Sequence, residues 1–287
     1  PDAGTTAAPD MVPPADAGSA PGTESEVSGG PDAVRPADAA PGDAPAPAAV
    51  SSSAATAGAA LELRGIHAAY GEVEVLHGVD LVVPAGGAVA VVGANGAGKS
   101  TMCAVIGGTL AATAGTVSLA GADVTGEPAH LRARAGLLLA PEARGIFPGL
   151  TVDDNLRIRL RTDAARRAAR ERFPILGERG DQLAELLSGG EQQQLAMAVA
   201  LADPPAVFVA DEPSLGLAPM AAATVNEALA ELREAGTALV LVEEQAGAAI
   251  ELADEVVVLA LGRVAWRGPA DEVDLDALTA TYLGASV

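Results

Sequence analysis

Gly93-Ala94-Asn95-Gly96-Ala97-Gly98-Lys99-Ser100-Thr101 is the stretch whose reading decides the fold. It fits G-x-x-x-x-G-K-[ST], a glycine-rich turn whose backbone N–H groups cradle phosphates at a helix N-terminus. In that reading Lys99 reaches the β- and γ-phosphates and the Ser100 hydroxyl ligates Mg²⁺. Lys99 is the one lysine among the chain's 17 basic residues; all the others are arginine. A chain that otherwise avoids lysine has one where a nucleoside triphosphate needs it.

The flanks supply the context the motif requires. Ala88-Val89-Ala90-Val91-Val92 is a short apolar run that reads as a buried strand. Lys99 to Ile106 has helical character. A strand, a loop and a helix in that order separate a phosphate loop from a chance glycine-rich turn with a stray lysine.

Further out, Leu61 to Ile66 reads as a strand, Tyr70-Gly71 as a turn, and Glu72 to Val83 as one or two strands. Gly115 to Leu119 is a strand with a turn at Ala120-Gly121. Glu127 to Arg134 is a short helix, and Leu137 to Ala140 a buried strand ending at Pro141. The stretch from about 143 to 187 changes to arginine-rich helices, opened by Thr151 as a cap with Asp153 and Asp154 in the first turn. Ser188-Gly189-Gly190-Glu191 opens another helix through a capping box. Ala206–Ala210 and Thr237–Val242 read as buried strands around a helix over Pro219–Glu234. A terminal hairpin follows, at Glu255–Leu261 and Arg263–Trp266, then a helix ending near Leu283. Buried strands alternating with helices after a phosphate loop define an α/β fold: a P-loop core with a mainly parallel sheet, an antiparallel β subdomain and a small helical insert.

Composition divides the chain. Residues 1–60 are mostly Ala, Pro, Gly, Ser and Asp, without an aromatic. They read as a disordered acidic tail or linker, with too little apolar surface to offset ordering entropy. They lack the basic start and apolar run of a signal peptide. The first residue is Pro1 rather than Met, which fits a fragment or one end of a longer polypeptide. Residues 61–287 are long enough for one sizeable core. No stretch has the ~20 apolar residues of a membrane helix. The formal net charge of −21 argues against nucleic acid as a partner. Cys103 is the single cysteine, so no internal disulfide forms; a buried inert thiol in a reducing, cytoplasmic compartment fits. The arginines between Arg157 and Arg172 read as a solvated helix face, with a partner or anionic lipid headgroups as the functional alternative. His67, His77 and His130 are scattered and match no metal-ligand spacing. Trp266 reads as a packing residue.

Val207-Phe208-Val209-Ala210-Asp211-Glu212 is an apolar strand ending in two carboxylates. Asp211 is placed to hold Mg²⁺ and Glu212 to orient an attacking water. Leu187-Ser188-Gly189-Gly190-Glu191-Gln192 offers a second set of open N–H groups at a helix N-terminus. With these motifs, residues 61–287 resemble the ATPase subunits of ABC transporters. The resemblance implies that Ser188, Gly189, Gly190 and Glu191 contact the γ-phosphate of ATP held by the phosphate loop of a second ATPase subunit. That subunit would be identical or homologous, paired head to tail. It also implies that Tyr70 stacks on adenine, that Asp211 holds magnesium, that Glu212 is catalytic, and that Ser214–Leu217 form the subunit-contact loop.

Pro141 to Pro148 with Leu150-Thr151-Val152, Glu212 to Pro219, and Leu241-Val242-Glu243 resemble more narrowly the ATPases of branched-chain amino acid importers. Urea and amide importers are near relatives. Two positions depart from the general family pattern. Glu142 stands where a glutamine usually senses Mg²⁺; a carboxylate ligates it equally well. Glu244 stands where a histidine usually donates to the γ-phosphate, and an ionised carboxylate is acceptor-only. Three outcomes stay open: Glu244 protonated when ATP binds, Gln245 acting instead, or slow hydrolysis.

The favoured expectation is an ATP-hydrolysing subunit on the cytoplasmic face of the membrane. It would dock on transmembrane permease subunits around Glu142 to Leu150 and serve, indirectly, a substrate-binding protein. The alternatives are an ATP-binding regulatory subunit with little turnover and, more weakly, a soluble protein of translation or nucleic-acid metabolism.

Overall fold

A computed structural model of the chain describes residues 58–141, 145–244 and 247–274. Glu142, Gln245, the C-terminal helix expected near Leu283 and nearly all of the acidic segment lie outside them.

β1 (Ala59–Tyr70) and β2 (Val73–Pro84) form a long antiparallel hairpin. β1 begins inside the segment expected as tail and continues past Ile66 to Tyr70. Register irregularities at Leu63/Ile66 and Ala68/Ala69 interrupt its alternation, which is why the sequence pattern breaks off early. β3 (Ala88–Val92) leads into the phosphate loop and α1 (Lys99–Gly107). β4 (Ala114–Leu119) and β5 (Ala122–Asp123) complete a four-stranded antiparallel sheet in the order β2-β1-β4-β5.

α2 (Ala129–Arg134) and β6 (Leu137–Ala140) return the chain to the core. The helical insert then holds α3 (Val152–Arg159), α4 (Asp163–Arg172) and α5 (Ile175–Glu178). α6 (Gly189–Ala202), β7 (Val207–Asp211), α7 (Pro219–Glu234), β8 (Ala238–Glu243), α8 (Gly247–Leu252), β9 (Glu255–Ala260) and β10 (Arg263–Pro269) follow. The second sheet runs β10-β9-β3-β8-β7-β6, parallel except for β10. The α/β architecture read from the sequence is therefore present.

The mainly parallel sheet has both faces covered, so its strands are apolar throughout. Ala88, Ala90 and Val92 of β3 join Phe208, Ala210, Leu239 and Leu241 in a core packed beneath the helices. Val89 and Val91 join Val207, Val209, Val240 and Val242 in a second core, with Met102, Cys103 and Ile106 of α1 and the inner face of the β1–β2 hairpin. Adjacent residues of one strand thus serve different cores. Burial, with the charge of Asp211 adding, raises the Cys103 thiol pKa well above its usual value, which makes the thiol inert.

Arg132, almost fully buried, fastens the far end of α1. Its Nη1 donates to the carbonyls of Val105 at 2.6 Å and Ile106 at 2.8 Å, and Nε and Nη2 donate to Glu127 and Thr125. A guanidinium at a helix C-terminus satisfies carbonyls the helix leaves open and complements its dipole.

The structure adds partners to two sets of charged residues. The arginines of the insert are largely engaged within the chain: Arg157 with Asp154, Arg166 with Asp163, Arg170 with Asp153, Arg172 with Glu231, and Arg159 with the Gly145 carbonyl. These pairs brace the insert. His67 and His77, ten residues apart on the two arms of the hairpin, are cross-strand partners. Glu74 lies 2.6 Å from His67 Nδ1 and 3.2 Å from His77 Nδ1, and the His67 hydrogen bond foremost lowers its pKa.

Candidate active site

The site lies at the C-terminal ends of β3, β7 and β8, where parallel strands deliver loops to one edge of a sheet. Gly98, the last residue before α1, has φ +105°, a conformation that a side chain would strain. Its carbonyl accepts the Met102 N–H at 2.9 Å, starting the helix, while Ala97 N–H closes on Ala94 at 3.0 Å. Lys99 is turned inward over this loop. Its Nζ donates to the Gly93 carbonyl at 2.8 Å and lies 3.4 Å from Glu212 Oε1.

β7 ends at Asp211, buried, and the chain then reverses through Glu212 at φ +50°. For a residue with a Cβ that conformation costs on the order of 1–2 kcal/mol and persists only where neighbours impose it. Here Glu212 N–H donates to Val242 of β8 at 2.8 Å, and Leu215 N–H donates back to Glu212 at 3.2 Å. The Ser214 hydroxyl donates to Glu243 Oε1 at 2.8 Å. Burial raises the pKa of Glu243; the Ser214 hydrogen bonds oppose the shift, and the Glu212 charge adds to it.

These elements surround a cavity of about 410 Å³ lined by Val75, Asn95, Gly96, Gly98, Lys99, Ser100, Thr101, Glu212, Leu215 and Glu244. Most of the phosphate-loop residues therefore share one cavity with Glu212 and Glu244. Asn95 Nδ2 donates to Glu244 Oε2 at 3.0 Å. Tyr70 ends β1 with 56% of its surface exposed, outside the cavity lining, whereas Val75 is in the wall. Glycine N–H groups, an ammonium and a Ser100 hydroxyl make a donor set fitted to a triphosphate. Ser100 lines the cavity, and Asp211, buried at the end of β7, is not among its lining residues; both carry oxygen donors of the kind a divalent cation takes.

Ser188 to Glu191 lie elsewhere. Ser188 Oγ accepts the Glu191 N–H and Glu191 Oε2 accepts the Ser188 N–H at 2.7 Å, completing the capping box. A Cβ at Gly190 would stand 2.7 Å from Ala221 Cβ, so glycine is also what lets α6 approach α7. None of these four residues lines the cavity.

Val75 had no role in the sequence reading and no motif to mark it, and Leu215 was read only as part of the Ser214–Leu217 subunit-contact loop, not as part of the cavity wall. Glu243 was visible only as part of Leu241-Val242-Glu243, and its partner Ser214 is remote in sequence.

A phosphate loop, a strand ending in paired carboxylates and a capped glycine pair on a separate helix define a P-loop ATPase. Comparison with known proteins narrows the class. The family described as ABC transporter matches residues 76–215. The high-affinity branched-chain amino acid transport ATP-binding protein BraG of Pseudomonas aeruginosa is 39% identical over 205 residues, 68% of this chain and 86% of that protein. The probable branched-chain amino acid transport ATP-binding protein LivF of Archaeoglobus fulgidus is 36% identical, over 72% of this chain and 91% of that one. The Fe(3+) ions import ATP-binding protein FbpC of Yersinia pestis is also 36% identical, over 78% of this chain and 67% of its own length. A solved ATP-binding subunit of an ABC transporter superposes with TM-score 0.69 at 27% identity, covering 77% of this chain and 98% of that one. The chain belongs to the ATP-binding subunits of ABC transporters, and its activity is that family's ATP hydrolysis.

Proposed function

We propose that this chain powers an importer of branched-chain or other hydrophobic amino acids. Its similarity to BraG and LivF supports the substrate class, although the FbpC relative serves a different cargo. In this reading Lys99 and the loop N–H groups hold the triphosphate and Glu212 orients the attacking water. Ser100 and Asp211 would hold Mg²⁺, which supplies charge neutralisation between phosphates.

The observation that carries a paired ATPase is the separation of the Ser188–Glu191 helix end from the cavity. A capped, glycine-opened N-terminus is an anion site without a phosphate of its own. A head-to-tail partner brings it one. The permease contact is assigned to the insert's apolar face. Ala184 N–H donates to Leu150 at 2.9 Å and Thr151 bridges to Leu183, which brings Leu150 and Leu183 together. Asn155 holds Phe147 through both backbone groups, and Phe147 and Leu186 are exposed. No described helix is long and apolar enough to cross a membrane, so attachment at the cytoplasmic face would come through the permease.

The test is steady-state Mg-ATP hydrolysis by the full chain beside Lys99→Ala, with uptake of labelled leucine and urea in cells carrying each. Turnover and leucine uptake both lost in Lys99→Ala is the expected result. Hydrolysis lost with leucine uptake intact would refute the assigned cargo. No wild-type turnover, even with a partner ATPase, would favour the regulatory reading.

A further inference from the structure

We infer that Glu243 is a positioning residue: by accepting the Ser214 hydroxyl it ties the loop after β7 to the end of β8, and so sets Glu212 at the cavity. The inference rests on Glu212 being the hydrolytic carboxylate.

Glu243 ends β8 and is only 8% exposed. It is absent from the cavity lining, so it acts through other groups rather than on ATP. Two ties join the loop to consecutive residues of β8. Glu212 N–H reaches the Val242 carbonyl, and Ser214 Oγ reaches the Glu243 side chain. Between them sits Glu212 at φ +50°, a conformation that needs external restraint. The backbone tie alone fixes one end of the turn. The Ser214–Glu243 tie fixes the other, and beyond it Leu217 N–H closes on Ser214 while Leu215 enters the cavity wall. Ser214–Leu217 is also where family resemblance puts the contact with a second subunit. Glu243 therefore joins that contact to the carboxylate that positions water.

The experiment uses the full chain with Ser214→Ala, Glu243→Ala, Glu243→Gln and the double alanine variant. ATP binding and melting temperature are measured first. Ser214→Ala and Glu243→Ala should each lower kcat about tenfold, the rate equivalent of one hydrogen bond, with KM within about twofold. Glu243→Gln keeps an acceptor oxygen for Ser214 and should recover most of kcat. The double variant should be no slower than the slower single one, because both remove the same interaction. Amide exchange over 212–217 should quicken in the alanine variants and return in Glu243→Gln, a readout that stands even if turnover is low. If Glu243→Ala does not fold, Ser214→Ala, which removes one hydroxyl, decides. Unchanged kcat and exchange, a Glu243→Gln variant as slow as Glu243→Ala, or losses that multiply in the double variant would each overturn the assignment.

Discussion

Asn95 Nδ2 donates to Glu244 Oε2 across 3.0 Å, joining the middle of the phosphate loop to the residue that follows β8. The amide occupies a carboxylate that would otherwise face an arriving triphosphate directly. Both side chains line the cavity, so the pair stands where phosphate charge would accumulate.

An acceptor-only group beside phosphate opposes it; a glutamine there can donate. Glu244→Gln should therefore raise kcat/KM for ATP about tenfold or more at neutral pH, since one like charge at short range is worth over 1 kcal/mol. Steady-state kinetics check this. A slower variant would mean that the carboxylate itself takes part in the chemistry.

At Gly190 a compensating change can separate the packing role from the proposed contact with a partner's phosphate. Gly190→Ala should destabilise the α6–α7 contact by about 1–3 kcal/mol through overpacking against Ala221. Adding Ala221→Gly should restore the melting temperature. If Gly190 also faces a partner's phosphate, the double variant should stay impaired in hydrolysis.

The capping box gives a pH dependence with a definite sign. Burial works against an ionised Glu191, yet the Ser188 hydrogen bonds and Arg179 outweigh it and lower its pKa. A carboxylate with a depressed folded pKa contributes stability above its unfolded pKa and loses it as pH falls through the folded one. The melting temperature of the wild type should exceed that of Glu191→Gln by most near pH 7. The gap should close below about pH 4.

Arg132→Ala leaves the Val105 and Ile106 carbonyls buried at the end of α1 without their guanidinium. A cost of about 2–3 kcal/mol is expected. Because α1 carries Lys99 at its other end, ATP affinity should fall with stability, measured by nucleotide titration and thermal melting. Arg132→Lys should recover only part, since one ammonium cannot span these carbonyls in the fork geometry.

The parts of the site legible in sequence were those whose chemistry fixes a local pattern. A phosphate loop needs glycine at Gly98 and an ammonium at Lys99; a capping box needs Ser188 and Glu191 three apart. Both motifs are completed within a few residues of chain. Arg132 and Glu243 could not be read that way, because the α1 carbonyls that Arg132 caps and the Ser214 hydroxyl that Glu243 accepts are 26 or more residues distant. The His67–Glu74–His77 group likewise exists only once a hairpin with an irregular register sets two strands side by side. Strand existence was legible from apolar runs, and the extent of β1 was not, because its irregularities erase the period that defines a strand.

The alternation of β3, β7 and β8 between two cores has a consequence for how such a chain can diverge. Inserting or deleting one residue in any of these strands would exchange the side chains offered to the helices with those offered to the hairpin and α1. It would also displace Gly93, Glu212 or Glu244 from the edge where they meet. Single-residue length changes are therefore expected to be tolerated only outside these strands and outside the loops that deliver Lys99 and Glu212.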